Sequence, residues 1–124
     1  MVKATGGTYF YTDAALSAGV YLLAGGGSWN QLSDKRKKAN FKIVDGNEIL
    51  NKIADMEVTS WNYKAQSPKI RHIGPMAQDF YAAFGYGESD TTITSVDIDG
   101  INMIAIKALI EKTNELKKKS GEIA

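Results

Sequence analysis

Toward the end of the chain, Asn102, Ile106, Leu109, Thr113 and Leu116 follow one another at 4-3-4-3 spacing, the seam of a heptad repeat. The spacing predicts a long helix from Ile101 to about Lys119. Met103, Ile104, Ala105, Ala108 and Ile110 add apolar surface to its first half, a band too wide for a single seam. The first half is therefore expected inside its own domain, and the second half against sister helices. Asn102 and Thr113 are imperfect seam positions that weaken association while helping to fix register. An oligomer is expected, and a homotrimer is the reading adopted.

The rest of the chain leaves limited room for other kinds of function. Its 124 residues fit one domain, and 15 basic against 14 acidic side chains leave a net charge of +1. Neither nucleic acid nor an anionic membrane is expected as a bulk partner. The absence of cysteine removes disulfides and thiolate chemistry, and the single histidine, His72, argues against a protein-built metal site. No cofactor is expected. Met1 to Thr5 is followed by no apolar run of signal-peptide length, and no stretch approaches about 18 apolar residues.

Read in order, residues 1–32 form an extended arm broken by glycine. Thr8 to Thr12 and Gly19 to Leu23 are β-rich, and Gly25-Gly26-Gly27 is a connector. Strands this short do not stand alone, so the arm is expected to pair with other copies or to continue an upstream β structure. Beyond it, the segment from Ser33 reads as a short helix or an irregular turn with Ser33 as N-cap. Phe41 to Val44 reads as a strand, Asp45-Gly46 as a cap, and Glu48 to Met56 as a helix. Val58 to Lys64 and Ile70 to Gly74 read as hairpin strands. A helix from Met76 to Phe84 follows, with Pro75 in its first turn and Gly85 closing it. Thr92 to Val96 reads as one more strand. The fold class expected is α+β: small β-hairpins, two or three helices, and a long C-terminal helix in a trimeric bundle. The domains expected are 1–32, the end of a β-rich stalk with its linker, and 33–124.

The chemistry-bearing residues gather where these two parts meet, at Ser33-Asp34-Lys35-Arg36-Lys37-Lys38. Serine is a weak nucleophile until a base removes its proton, and His72, a lysine or a carboxylate could serve. A lysine can do so if desolvation and neighbouring cations disfavour its charged form. Lys38 lies within about one and a half helical turns of Ser33 if the segment is helical. The nearest susceptible carbonyl is that of Leu32, so cleavage of Leu32–Ser33 needs no pocket for a foreign or small-molecule substrate. The plainer alternative is a helix cap before a solvated basic face.

Ser33-Asp34 with Lys38 and Asn40-Phe41 resembles the opening signature of the intramolecular chaperone domains of phage tailspikes and tail fibres, the endosialidase-type chaperones or S74 peptidases. Three further blocks resemble the family in the same order. They are Val58-Thr59-Ser60-Trp61-Asn62-Tyr63-Lys64, Arg71 to Phe80, and Val96 to Gly100 leading into Ala105-Ile106-Lys107-Ala108-Leu109. The resemblance implies a domain that trimerises, guides folding of its own upstream fibre segment, and releases itself by a cut at Leu32–Ser33. It casts Ser33 as nucleophile and Lys38 as general base, with Asp34 and His72 as possible supporting residues. It places the product in a phage virion tail, or as a prophage product of the bacterial cytoplasm. Lys37 stands where the family commonly has an apolar residue, and Ala39 where an acidic one often follows; both alter the electrostatics around Lys38.

Other residues read more plainly. His72 can orient the junction or simply stabilise its hairpin. Trp61 and Tyr63 read as packing, Asp97 and Asp99 as helix caps rather than calcium ligands, and Lys117 to Lys119 as complements to a helix C-terminus. Two other functions compete: an uncleaved trimerisation cap on a fibre, and a carbohydrate-binding tip using Trp29, Trp61 and Tyr63.

Overall fold

The computed structural model describes residues 1–121, so the last three residues of the expected 33–124 domain lie outside it. The fold is α+β, and the described residues form two small antiparallel sheets, three α-helices and one 3-10 turn. The chain divides into two units, Met1–Ile43 and Val44–Ala124.

In the first unit, β1 (Thr8–Tyr11), β2 (Gly19–Leu22) and β3 (Asn30–Gln31) pair antiparallel in that order. Tyr9 faces Tyr21, and Val20 faces Gln31. The β1–β2 connection is folded around Asp13, whose carboxylate accepts the Ser17 N–H and hydroxyl and the Ala18 N–H at 2.7–2.9 Å. A side chain on Gly19 would overlap the Phe10 carbonyl, so the two strands approach this closely only at a glycine. Alternation puts Tyr9 on Tyr21 with ring centroids 5.0 Å apart, and turns Phe10 toward Trp29 at 5.9 Å. The third strand was not expected from the sequence, where Asn30-Gln31 follows a glycine run. The Leu32 N–H prolongs its pairing by donating to the Gly19 carbonyl at 3.1 Å.

The second unit is built around α1 (Gly46–Asp55), α2 (Ala77–Phe84) and α3 (Ser95–Lys119). Asp45 caps α1 by accepting the Asn47 and Glu48 N–H groups. Ile49, Phe80, Ile101 and Ala105 form the buried core, with Val44, Ile53, Phe84, Ile93, Ile98 and Ile104 packed around it. Gly46 allows α1 to press on α3, because a Cβ there would lie 2.8 Å from Ala108 Cβ. Strands β4 (Thr59–Trp61) and β5 (His72–Gly74) make the expected hairpin, shorter than its sequence runs, with Trp61 opposite His72. Gly85, in the left-handed conformation, closes α2 by donating to the Tyr81 carbonyl. That helix starts at Ala77 with Met76 as N-cap, so Pro75 stands just outside its first turn.

Three expectations are corrected. Phe41 to Val44 is not a strand: no partner strand lies alongside, Phe41 and Ile43 are exposed, and only Val44 joins the core. Thr92 to Val96 is not a strand either. The Thr94 hydroxyl accepts the Asp97 N–H and donates to the Asp97 carboxylate at 2.8 Å, a capping pair that starts α3 at Ser95. The helix therefore runs 25 residues, about 37 Å, instead of starting at Ile101. Met103 and Ile110, expected inside, are 73% and 56% exposed. The row that packs is Ile98, Ile101, Ala105 and Ala108, one residue out of phase with the Asn102–Leu116 seam.

Candidate functional site: the Ser33–Lys38 junction

Asn30, Gln31 and Leu32 are held along β2, and the sheet ends there. After Asp34 the chain makes one 3-10 turn, Lys35–Lys37, with the Lys37 N–H on the Asp34 carbonyl and the Lys38 N–H on the Lys35 carbonyl. The turn brings Lys38 back toward Ser33, and the Lys38 Nζ donates to the Ser33 Oγ at 2.5 Å. Candidate nucleophile and candidate base are thus in direct contact, one residue past the last sheet hydrogen bond.

Ser33 is not the cap of this turn, since its hydroxyl is engaged by Lys38. Asp34 is the cap. Its Oδ1 accepts the Arg36 N–H at 2.9 Å, and its two oxygens receive Arg36 Nε and Nη2 at 2.9–3.2 Å. The Arg36 guanidinium holds the Asp34 carboxyl below the usual aspartate range, assisted by the Arg36 backbone N–H, and Asp34 raises Arg36 in return. Sequence reasoning missed Arg36, which is hidden in a run of four cations. The available signal was the opposite charge two residues from Asp34.

His72 belongs to the second unit. Its Nε2 lies 3.0 Å from Gln66 Oε1, which also accepts the Tyr63 N–H, so the imidazole donates from Nε2. The ring packs on Trp61 at 4.9 Å and on Tyr63 at 5.6 Å, inside its hairpin. Arg71, just before β5, donates to Ser60 in β4 and to Asn62 just after it. Among the described residues, no group of His, Cys, Asp or Glu is placed to hold a metal ion, and no helix is long and apolar enough to cross a membrane.

A serine hydroxyl thus meets a lysine amine at the end of a β-sheet. Residues 33–86 match the family model for Peptidase_S74, described as chaperone of endosialidase. The match opens at Ser33, spans α1, the β4–β5 hairpin and the start of the loop after α2, and supports a chaperone role.

Proposed function

We propose that the part from Ser33 onward is an intramolecular trimerisation and folding chaperone for an upstream β-structured fibre or tailspike, released by cleavage at Leu32–Ser33 through Ser33 and Lys38. The observation that carries the cleavage reading is the 2.5 Å contact between Lys38 Nζ and Ser33 Oγ beside the end of β3. In the reactive state Lys38 is neutral and takes the Ser33 hydroxyl proton. Oγ then attacks the Leu32 carbonyl carbon through a five-membered ring. The Leu32–Ser33 C–N bond breaks, and the nitrogen recovers the proton from Lys38, leaving Leu32 esterified to the Ser33 side chain. Water adds to that ester and displaces Oγ, one of its protons restoring the Ser33 hydroxyl and the other charging the new Ser33 amine, which leaves a Leu32 carboxylate.

Assembly is supported by surface. The chain exposes 10077 Å², against about 7,800 Å² if its two units are counted as separate compact bodies of their size. Ile106, Leu109 and Leu116 of the heptad seam are more than half exposed, and an apolar row at this spacing is covered by sister helices. A trimer would raise the effective concentration of three upstream stalks and align their starts, which matters because interchain β pairing is non-local and slow. The upstream client, a phage virion tail or prophage product, and the self-association are parts of the same proposal.

A second reading, an uncleaved trimerisation cap, is favoured by one feature: Ser33 and Lys38 are both exposed in the single chain, whereas desolvation is what makes a lysine a base. The first reading answers that a sister copy supplies the cover. Intact mass followed over several days, with Ser33→Ala and Lys38→Ala alongside, separates the two. A fragment beginning at Ser33 in the wild type and absent from both variants is expected. Full-length mass in all three would reduce the protein to an assembly domain.

A further inference from the structure

Lys38 lies five positions after Ser33, enough for extended chain to carry their Cα atoms about 17 Å apart. The lysine reaches the serine only because residues 35–37 turn back. Those residues are Lys-Arg-Lys, three adjacent like charges with none of them buried, so neither packing nor charge favours the turn. What gathers them is one carboxylate. Asp34 takes the Arg36 N–H inside the turn and the guanidinium of the same residue, at four distances of 2.9–3.2 Å.

From this geometry we infer that Asp34 and Arg36 form a clasp that positions Lys38 on Ser33. The inference deepens the cleavage reading proposed above and rests on it for its consequence, while the clasp itself is judged separately below. Asp34 and Arg36 are positioning residues and touch none of the reacting atoms. Asp34 acts twice, as cap and as counter-ion, whereas Arg36 contributes its guanidinium alone, since any residue there supplies the backbone N–H. The two losses are therefore unequal, with Asp34→Ala the more damaging and Asp34→Asn intermediate, because asparagine still caps. Arg36→Lys keeps the charge and loses the two-pronged contact. The pair is exposed, its side chains 87% and 33% accessible for Arg36 and Asp34, so salt weakens it.

The test uses the full chain and two readouts. The first is the rate of appearance of the Ser33-initiated fragment in wild type, Asp34→Ala, Asp34→Asn, Arg36→Ala, Arg36→Lys and the Asp34→Ala/Arg36→Ala double variant, at about 0.1 M and 1 M salt. Displacing a reacting group by an ångström costs on the order of a hundredfold, so Asp34→Ala is expected to slow cleavage between tenfold and a hundredfold. Arg36→Ala should slow it less, and the double variant no more than Asp34→Ala alone. High salt should slow the wild type and leave the double variant unchanged. The second readout is the nuclear Overhauser contact between the Lys38 ε-methylene and the Ser33 β-protons, expected in the wild type and lost in Asp34→Ala while helix content and thermal midpoint hold. Additive losses in the double variant, or an undiminished contact in Asp34→Ala, would overturn the clasp. A wild type that never cleaves but shows the contact, lost in Asp34→Ala, would overturn the cleavage reading and keep the clasp.

Discussion

The crossing of α1 on α3 gives the sharpest quantitative expectation. A methyl added at Gly46 would stand 2.8 Å from Ala108 Cβ and 3.5 Å from the Ile104 carbonyl. Carbon atoms settle at about 3.5–4.0 Å, so the two helices must part by about 0.7–1.2 Å. An alanine Cβ has no rotamer by which to yield. Overpacking of this kind costs about 1–3 kcal/mol, opposed by up to about 1 kcal/mol from alanine's better helix propensity. Gly46→Ala should therefore destabilise the fold by about 1–2 kcal/mol, read from urea denaturation followed by circular dichroism at fixed protomer concentration. Ala108→Gly removes the opposing atom. In the double variant the loss should fall short of the sum of the single losses by at least about 1 kcal/mol. A Gly46→Ala protein as stable as wild type, or strictly additive losses, would refute this account of the crossing.

Three other outcomes are expected. Leu109→Asp, on the exposed seam of α3, should shift the protein toward protomers in sedimentation at micromolar concentration while leaving helix content unchanged; an unchanged association state would remove the seam from the assembly. Thr94→Ala deletes the hydroxyl that starts α3 and should cost about 1 kcal/mol of stability in thermal denaturation; no loss would mean Thr94 does not set the helix start. Asp13, held chiefly by the Ser17 hydroxyl, and Asp34, held chiefly by Arg36, both ionise below the usual aspartate range of about 3.9. Their contribution to stability is thus complete above that value and lost as pH falls through the lowered native midpoints. Carboxyl carbon titration by NMR should show both midpoints depressed, and an ordinary midpoint for either would contradict the contacts assigned to it.

Elements announced by local chemistry were legible in the sequence. Asp45-Gly46 caps α1, Gly85 closes α2, and the runs around Ser60 and Ile73 pair as a hairpin, each decided within a few residues. What needed a distant partner was not. Phe41 to Val44 has strand composition but nothing to pair with, and Asn30-Gln31 has no strand composition yet pairs because β2 offers an edge. Thr92 to Val96 shows propensity losing to a cap, since one Thr94–Asp97 exchange commits Ser95 and Val96 to a helix. At the junction, the Ser33–Lys38 spacing was readable because a single turn spans it. The role of Arg36 was not, because in a basic run one guanidinium looks like the next until its carboxylate partner is located.

On the cleavage reading proposed above, the Leu32 N–H bonded to the Gly19 carbonyl bears on what a cut would leave behind. A break after Leu32 would free no tail: the new carboxy terminus would be the residue already fastened to β2. Disorder and proteolysis concentrate at chain ends that are not tied down, and a chain severed at its last rung presents no loose residues there. The upstream part so released would be guarded against trimming by the same hydrogen bond that fixes its last residue.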